Sequence, residues 1–248
     1  MRTGNPALSV RAFQNVPRAY GMEAMTLDGT VNKTGFLLLL VLLGAGITWY
    51  LSFSPRGPSP LVQPLIVLGI IGGLVLALVT VFKKQWAGVT APLYAAVEGL
   101  ALGGISAFFE MQYPGIVVQA VALTFGVAFA MLAVYRARII RVTQSFRLGV
   151  AAATGGIALV YLVTLVLRLF GIHVPYLHGS GVFGIGFSLF VVVVAALNLV
   201  MDFDFIKQGS DAGLPKYMEW YGAFGLVVTL VWLYLEILRL LAKLQRRD

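Results

Sequence analysis

Residues 182–219, VFGIGFSLFVVVVAALNLVMDFDFIKQGSDAGLPKYME, decide how this chain is read. An apolar run of about 20 residues, the length that crosses roughly 30 Å of hydrocarbon as a helix, ends abruptly in Met201-Asp202-Phe203-Asp204. A short polar turn follows, and Glu219 stands at the head of the next apolar segment. Only 11% of the residues are charged, so carboxylates at the ends of membrane-length segments need a physical reason.

Outward from that stretch the rest of the chain has the same character. Of 248 residues 59% are hydrophobic, and the mean hydropathy is +0.90. Soluble domains carry roughly 45–50% apolar and about 25% charged residues, so this is an integral membrane protein. Hydrocarbon offers no partner for an open backbone, and runs of this length span as helices rather than as barrel strands. Seven segments are expected, at roughly 34–53, 60–82, 89–110, 115–135, 147–170, 181–203 and 217–242. The fold class is therefore an all-α, seven-helix membrane bundle. Residues 1–33 form a polar tail, with a short surface helix near residues 12–19, and residues 34–248 form the membrane domain. The connections carry turn chemistry, as in Ser54-Pro55-Arg56-Gly57-Pro58, Tyr113-Pro114-Gly115 and Gly209-Ser210-Asp211-Ala212-Gly213. Short connections imply sequential antiparallel packing. Gly69 with Gly73, and Gly99 with Gly103, have the four-residue spacing that lets helix backbones approach closely.

The net charge of +8 has no basic stretch interleaved with aromatics, so nucleic acid is not expected as a partner. Lys and Arg gather instead on one side: Lys33 in the tail, Lys83 and Lys84, the cluster from Arg136 to Arg147, then Lys207 and Lys216. The positive-inside rule puts that side, and the N-terminus, in the cytoplasm. Seven crossings then leave Arg239, Lys243, Arg246 and Arg247 outside, a conflict that a re-entrant last segment would remove. The chain has no cysteine, which excludes disulfides, thiolate metal sites and thiol nucleophiles. His173 and His178 share one loop. No H-E-x-x-H helix exists, and Asp202 and Asp204 on one helix cannot face each other as a protease dyad. An enzyme is not expected, and no cofactor is required.

Intramembrane carboxylates cost about 2.5–3.5 kcal/mol each on insertion scales, and those present usually face the bundle interior. Asp202 closes the sixth segment and Glu219 opens the seventh, so antiparallel helices bring them to similar depth. Glu98, within the third segment, could join them. Asp204, two residues past Asp202, falls on the opposite helix face and looks toward the loop. The ordinary alternative for Asp202, Asp204 and Glu219 is solvation at the membrane interface. A second set lies at the other end: Glu110, Arg168 and Glu236, where Arg168 between two carboxylates would be a structural ion pair or a latch.

These residues carry a resemblance. Gly21-Met22 and Asn32-Lys33-Thr34 before the first helix, the run Glu98-Gly99-Leu100-Ala101-Leu102-Gly103, Asp202 with Ile206 four residues on, and the last segment resemble the Bax inhibitor family, in particular a bacterial, YccA-like branch. The resemblance implies a seven-helix fold with the last helix central. It also implies a calcium leak of the bacterial inner membrane, with an acidic pair in helices six and seven that senses pH. Asp202 matches the first acidic position. Tyr217-Met218-Glu219-Trp220 and Leu233-Tyr234-Leu235-Glu236 both resemble the second, and Glu219 fits the antiparallel geometry better, since Glu236 lies about 25 Å farther along the helix. Asp202 and Glu219 would then offer calcium its hard oxygen ligands, with protons competing for them. A non-conducting regulator that binds a membrane protease through its tail is the rival expectation.

Overall fold

A computed structural model describes residues 23–55, 57–171, 179 and 181–246. The expected tail helix near residues 12–19, Arg56, His173 and His178 lie outside the described residues. Among the described residues seven helices are long and apolar enough to cross a membrane: α1 Leu27–Ser52, α2 Val62–Phe82, α3 Ala87–Gln112, α4 Ile116–Arg136, α5 Gln144–Leu169, α6 Val182–Asp211 and α7 Tyr217–Gln245. A single 3₁₀ turn, Lys84–Trp86, leads into α3. Among the described residues there is no strand beyond one isolated antiparallel bridge, Ala24 to Pro215.

Local chemistry sets the helix ends. Thr26 caps α1, its hydroxyl oxygen accepting the Gly29 N–H at 3.0 Å, and Asp28 in the first turn complements the positive end of the helix. The first helix thus begins at Leu27 rather than Thr34, because a capping threonine stands well upstream of the apolar run. Thr143 caps α5 in the same way, and Gly115 enters α4 with φ +85°, a conformation that suits a residue without Cβ. Helix α6 continues to Asp211, well past the expected end at Phe203. The polar stretch after Asp202 keeps helical hydrogen bonding until Gly213, where φ is +64°. Helix α7 is continuous from Tyr217 to Gln245, so the last segment is not re-entrant.

Within the helices, hydroxyls of Thr34, Ser52, Thr80, Thr124 and Thr164 each donate to the carbonyl four residues back, at 2.7–2.9 Å. This is how a buried hydroxyl is satisfied where no water is at hand. Helix α7 has the most buried span, 56% of its apolar window against 11% for α5.

The described residues fall into two compact units. One takes the chain up to Pro114 together with Phe205–Val228. The other takes Gly115–Asp204 and the residues from Thr229 onward. In the first, α3 packs against both α1 and α2. Gly99 and Gly103 are the contact surface of α3 toward α1: a Cβ on Gly99 would meet the Val41 carbonyl and Gly44, and one on Gly103 would meet the Ala45 carbonyl. The four-residue glycine spacing is therefore a helix-to-helix seam inside this unit, where backbones meet without side chains between them. In the second unit Ile157, Val191 and Val194 form a core, with Tyr161, Phe187 and Trp232 packed against it.

Candidate functional site

The first unit builds its acidic site around Glu219, which is fully buried. Residues 23–25 lie alongside the α6–α7 connection, with the Met25 N–H donating to the Leu214 carbonyl at 2.6 Å and the Lys216 N–H to the Glu23 carbonyl at 3.1 Å. That pairing delivers Thr26 to the first turn of α7. Glu219 Oε1 accepts the Thr26 N–H at 2.9 Å and the Thr26 hydroxyl at 2.8 Å. Its other oxygen pairs with the Lys33 ammonium, and Lys216 Nζ lies 3.4 Å from Oε1. Lys33 is also held over the Trp220 ring, 5.3 Å from its centroid.

This arrangement is a capping box assembled across the fold. In the ordinary motif the N-cap hydroxyl bonds the N–H three residues on, and a Glu or Gln at that third position bonds back to the N-cap N–H. Here the third position is Gly29, and the returning carboxylate comes from Glu219. The carboxylate occupies the space that a Cβ on Gly29 would take. The sequence shows the cap, Thr26-Leu27-Asp28-Gly29, but not its partner, which stands on another helix.

Glu98 lies elsewhere in the same unit. Its neighbour Gly99 meets α1 at Val41 to Ala45, whereas Glu219 docks at Thr26 to Gly29, some 15 residues and so about 22 Å away along α1. The structure does not bring Glu98 to Glu219, contrary to the expectation from segment order, because Glu98 stands at the middle of α3, level with the second half of α1, while Glu219 docks at the first turn of α1. The Glu98 carboxylate instead sits where a side chain on Gly73 of α2 would be, and Tyr94 stands one turn back on α3.

Asp202, in the second unit, is also fully buried. It lies one turn after Asn198, whose side-chain amide donates to Thr154 Oγ1 of α5 at 2.8 Å, so this face of α6 carries two buried polar groups. Asp202 and Glu219 thus both lie wholly buried within spanning helices. The Bax inhibitor 1 like family matches residues 5–246. The chain belongs to the Bax inhibitor family. No curated protein matches it.

Two further predicted carboxylates of this Bax inhibitor protein are held in ion pairs, both in its second unit. Asp204 does not look toward a loop. It accepts from Arg147 Nη2 at 2.5 Å and from the Tyr135 hydroxyl at 3.3 Å. The reason is the length of α6: Asp204 lies two turns inside the helix, level with the first turn of α5. Glu236 is buried, and its Oε1 accepts from the Tyr161 hydroxyl at 2.9 Å and from Arg239 Nη1 at 2.7 Å. The arginine beside Glu236 is therefore Arg239, one turn on, while Arg168 is exposed near the end of α5. A one-turn partner on the same helix needs no fold to align it. Glu110 is half-buried in the unit of α1 to α3. Lys243 is anchored by the Gly184 carbonyl at 2.9 Å and Ser188 Oγ at 2.8 Å.

Sequence reasoning missed Thr26, Gly29, Lys33, Tyr135, Arg147, Tyr161 and Arg239. Arg239, one turn from Glu236, and Thr26, three residues before Gly29 in a capping sequence, left local signals. Replacing Tyr161 with Phe removes the hydroxyl from a buried carboxylate and is expected to cost about 1.5–3 kcal/mol, the range for hydrogen bonds to charged groups. Chemical or thermal unfolding in detergent micelles measures it, and a change under about 0.5 kcal/mol would mean that Arg239 alone satisfies Glu236.

Among the described residues no three His, Asp or Glu side chains converge as a metal cage.

Proposed function

We propose that this protein is a calcium-permeable, proton-modulated leak of a bacterial inner membrane, with its N-terminus in the cytoplasm, and not an enzyme. The observation that carries the reading is the full burial of Asp202 and Glu219 within membrane-spanning helices. Carboxylates placed there mark ion or proton paths, and they are the hard oxygen ligands that calcium takes. In this reading Lys33 is the latch. Its ammonium sits on Glu219 as a built-in counter-ion that an entering calcium must displace. Protonation of the carboxylates removes the charge that attracts calcium, so protons and calcium compete and flux falls with acidification at the site. Glu98 stands about 22 Å from Glu219 along α1 and is not one of the proposed calcium ligands.

The test is calcium entry into liposomes holding the purified chain, followed with an enclosed indicator dye. Flux above that of empty liposomes is expected, and Asp202→Asn is expected to reduce it at least tenfold and flatten its pH dependence. Lys33→Met is expected to raise it, since it leaves Glu219 with only the more exposed Lys216 ammonium beside it. No flux above empty liposomes, with circular dichroism showing an intact helical fold, would reject the leak.

A further inference from the structure

We infer that Glu98 is a proton-binding carboxyl at the centre of the bilayer, lodged in a notch left by Gly73 and reached through the seam between α2 and α3. The inference concerns proton binding alone and stands apart from calcium passage.

Three observations carry it. The third span runs from Lys84 to Gln112, and Glu98 is its midpoint, so about 21 Å of helix separates the residue from either end. No salt bridge engages it among the described residues, whereas Glu219, Asp204 and Glu236 each have a cation beside them. The elements packed on this part of α3 supply no compensating charge: α7, whose Phe224 packs on Tyr94, has no titratable side chain from Gly222 to Val228. Helix α2 has no titratable side chain, α1 has none between Thr34 and Trp49, and on α3 itself the neighbouring titratable group is Tyr94. A bare carboxylate in hydrocarbon is so costly that the group takes a proton instead.

The notch is specific. The Glu98 carboxylate fills the place of the missing Gly73 side chain, while Gly69, one turn earlier, is closed off by the Ala101 backbone. Glu98 keeps intermediate exposure, and around it on α2 Ile70, Ile71 and Leu74 are 51–61% exposed. The open side of the seam is therefore lined by apolar side chains, as a surface toward lipid would be.

Dicyclohexylcarbodiimide, an apolar reagent that partitions into bilayers, tests both parts. The carboxyl proton passes to one carbodiimide nitrogen and the carboxylate oxygen adds to the central carbon. The resulting O-acylisourea rearranges to an N-acylurea with no leaving group, so the peptide gains the mass of one whole carbodiimide. In liposomes holding the full chain, the expected result is that mass gain on the peptide containing Glu98, decreasing as pH rises and absent in Glu98→Gln. A water-soluble, charged carbodiimide should leave the residue unmodified. Infrared spectroscopy should show a protonated-carboxyl carbonyl stretch that disappears in Glu98→Gln and shifts in Gly73→Ala, where a methyl group enters the notch. Modification by the water-soluble reagent at the same rate, or the absence of both label and band in the folded wild-type chain, would overturn the inference. Neither readout depends on calcium flux.

Discussion

Glu219→Ala is expected to lower the stability of the folded chain by about 3 kcal/mol, the lower end of the cost of removing one partner from a buried ion pair. The lower end applies because the Lys33 side chain keeps 19% exposure and retains some contact with solvent. The loss has four parts: the Lys33 and Lys216 ammonium groups lose their counter-charge, and the Thr26 N–H and hydroxyl are left without an acceptor. Lys33→Met in the Glu219→Gln background should recover part of the loss, since removing both charges together is far cheaper than stranding one. Gly29→Ala sharpens the test through its sign. On helix propensity alone it would stabilise α1 by about 0.5–1 kcal/mol. Here its methyl group meets the Glu219 carboxylate, so destabilisation is expected, with little further loss when combined with Glu219→Ala. Unfolding in mixed micelles measures all four variants, and a stabilising or fully additive Gly29→Ala would show that Glu219 does not cap α1.

Gly103→Leu is expected to cost about 3 kcal/mol, the upper end for forcing a larger side chain into a packed interior. The obstacle at Gly103 is the backbone of α1 at Ala45, which cannot turn aside as a side chain can, so α1 and α3 must separate. The same substitution at Gly155 of α5, where nothing lies within 4 Å of the added carbon, should change stability by less than about 1 kcal/mol. Equal effects at the two sites would mean that the α1–α3 seam is not a tight contact. If the seam does open, the Glu98–Gly73 notch, on the opposite side of α3, should keep its carbodiimide reactivity.

The two predictions divide what was legible in the sequence from what was not. Glycines at four-residue spacing announce a close helix contact, and Gly99 and Gly103 make one, but spacing alone does not say that α1 is the partner. Thr26 reads as a helix cap from its own neighbours, which places the start of α1 ahead of the apolar run. Its acceptor, Glu219, lies 193 residues away in sequence, and no local pattern encodes that distance. The expected depth of Glu98 beside Glu219 failed for a related reason. Segment order fixes the direction of each helix but not how far it slides along its neighbour, and Glu98 stands level with the second half of α1. Asp204 was misread because the polar tail of α6 looked like a loop, whereas the helix runs on to Asp211 and brings Asp204 to Arg147.

The sequence by itself determined the class and frame of this protein. Apolar runs of spanning length, few charges and the short family motifs are one-dimensional signals, because each helix satisfies its own backbone and needs no distant partner to be recognised. Only the tertiary structure decided which charges meet. Each intramembrane carboxylate must find a compensating group or take a proton, and helices from distant parts of the chain supply those groups: Thr26 and Lys33 for Glu219, Arg147 and Tyr135 for Asp204, Tyr161 beside Arg239 for Glu236, and, for Glu98, the space left by a glycine.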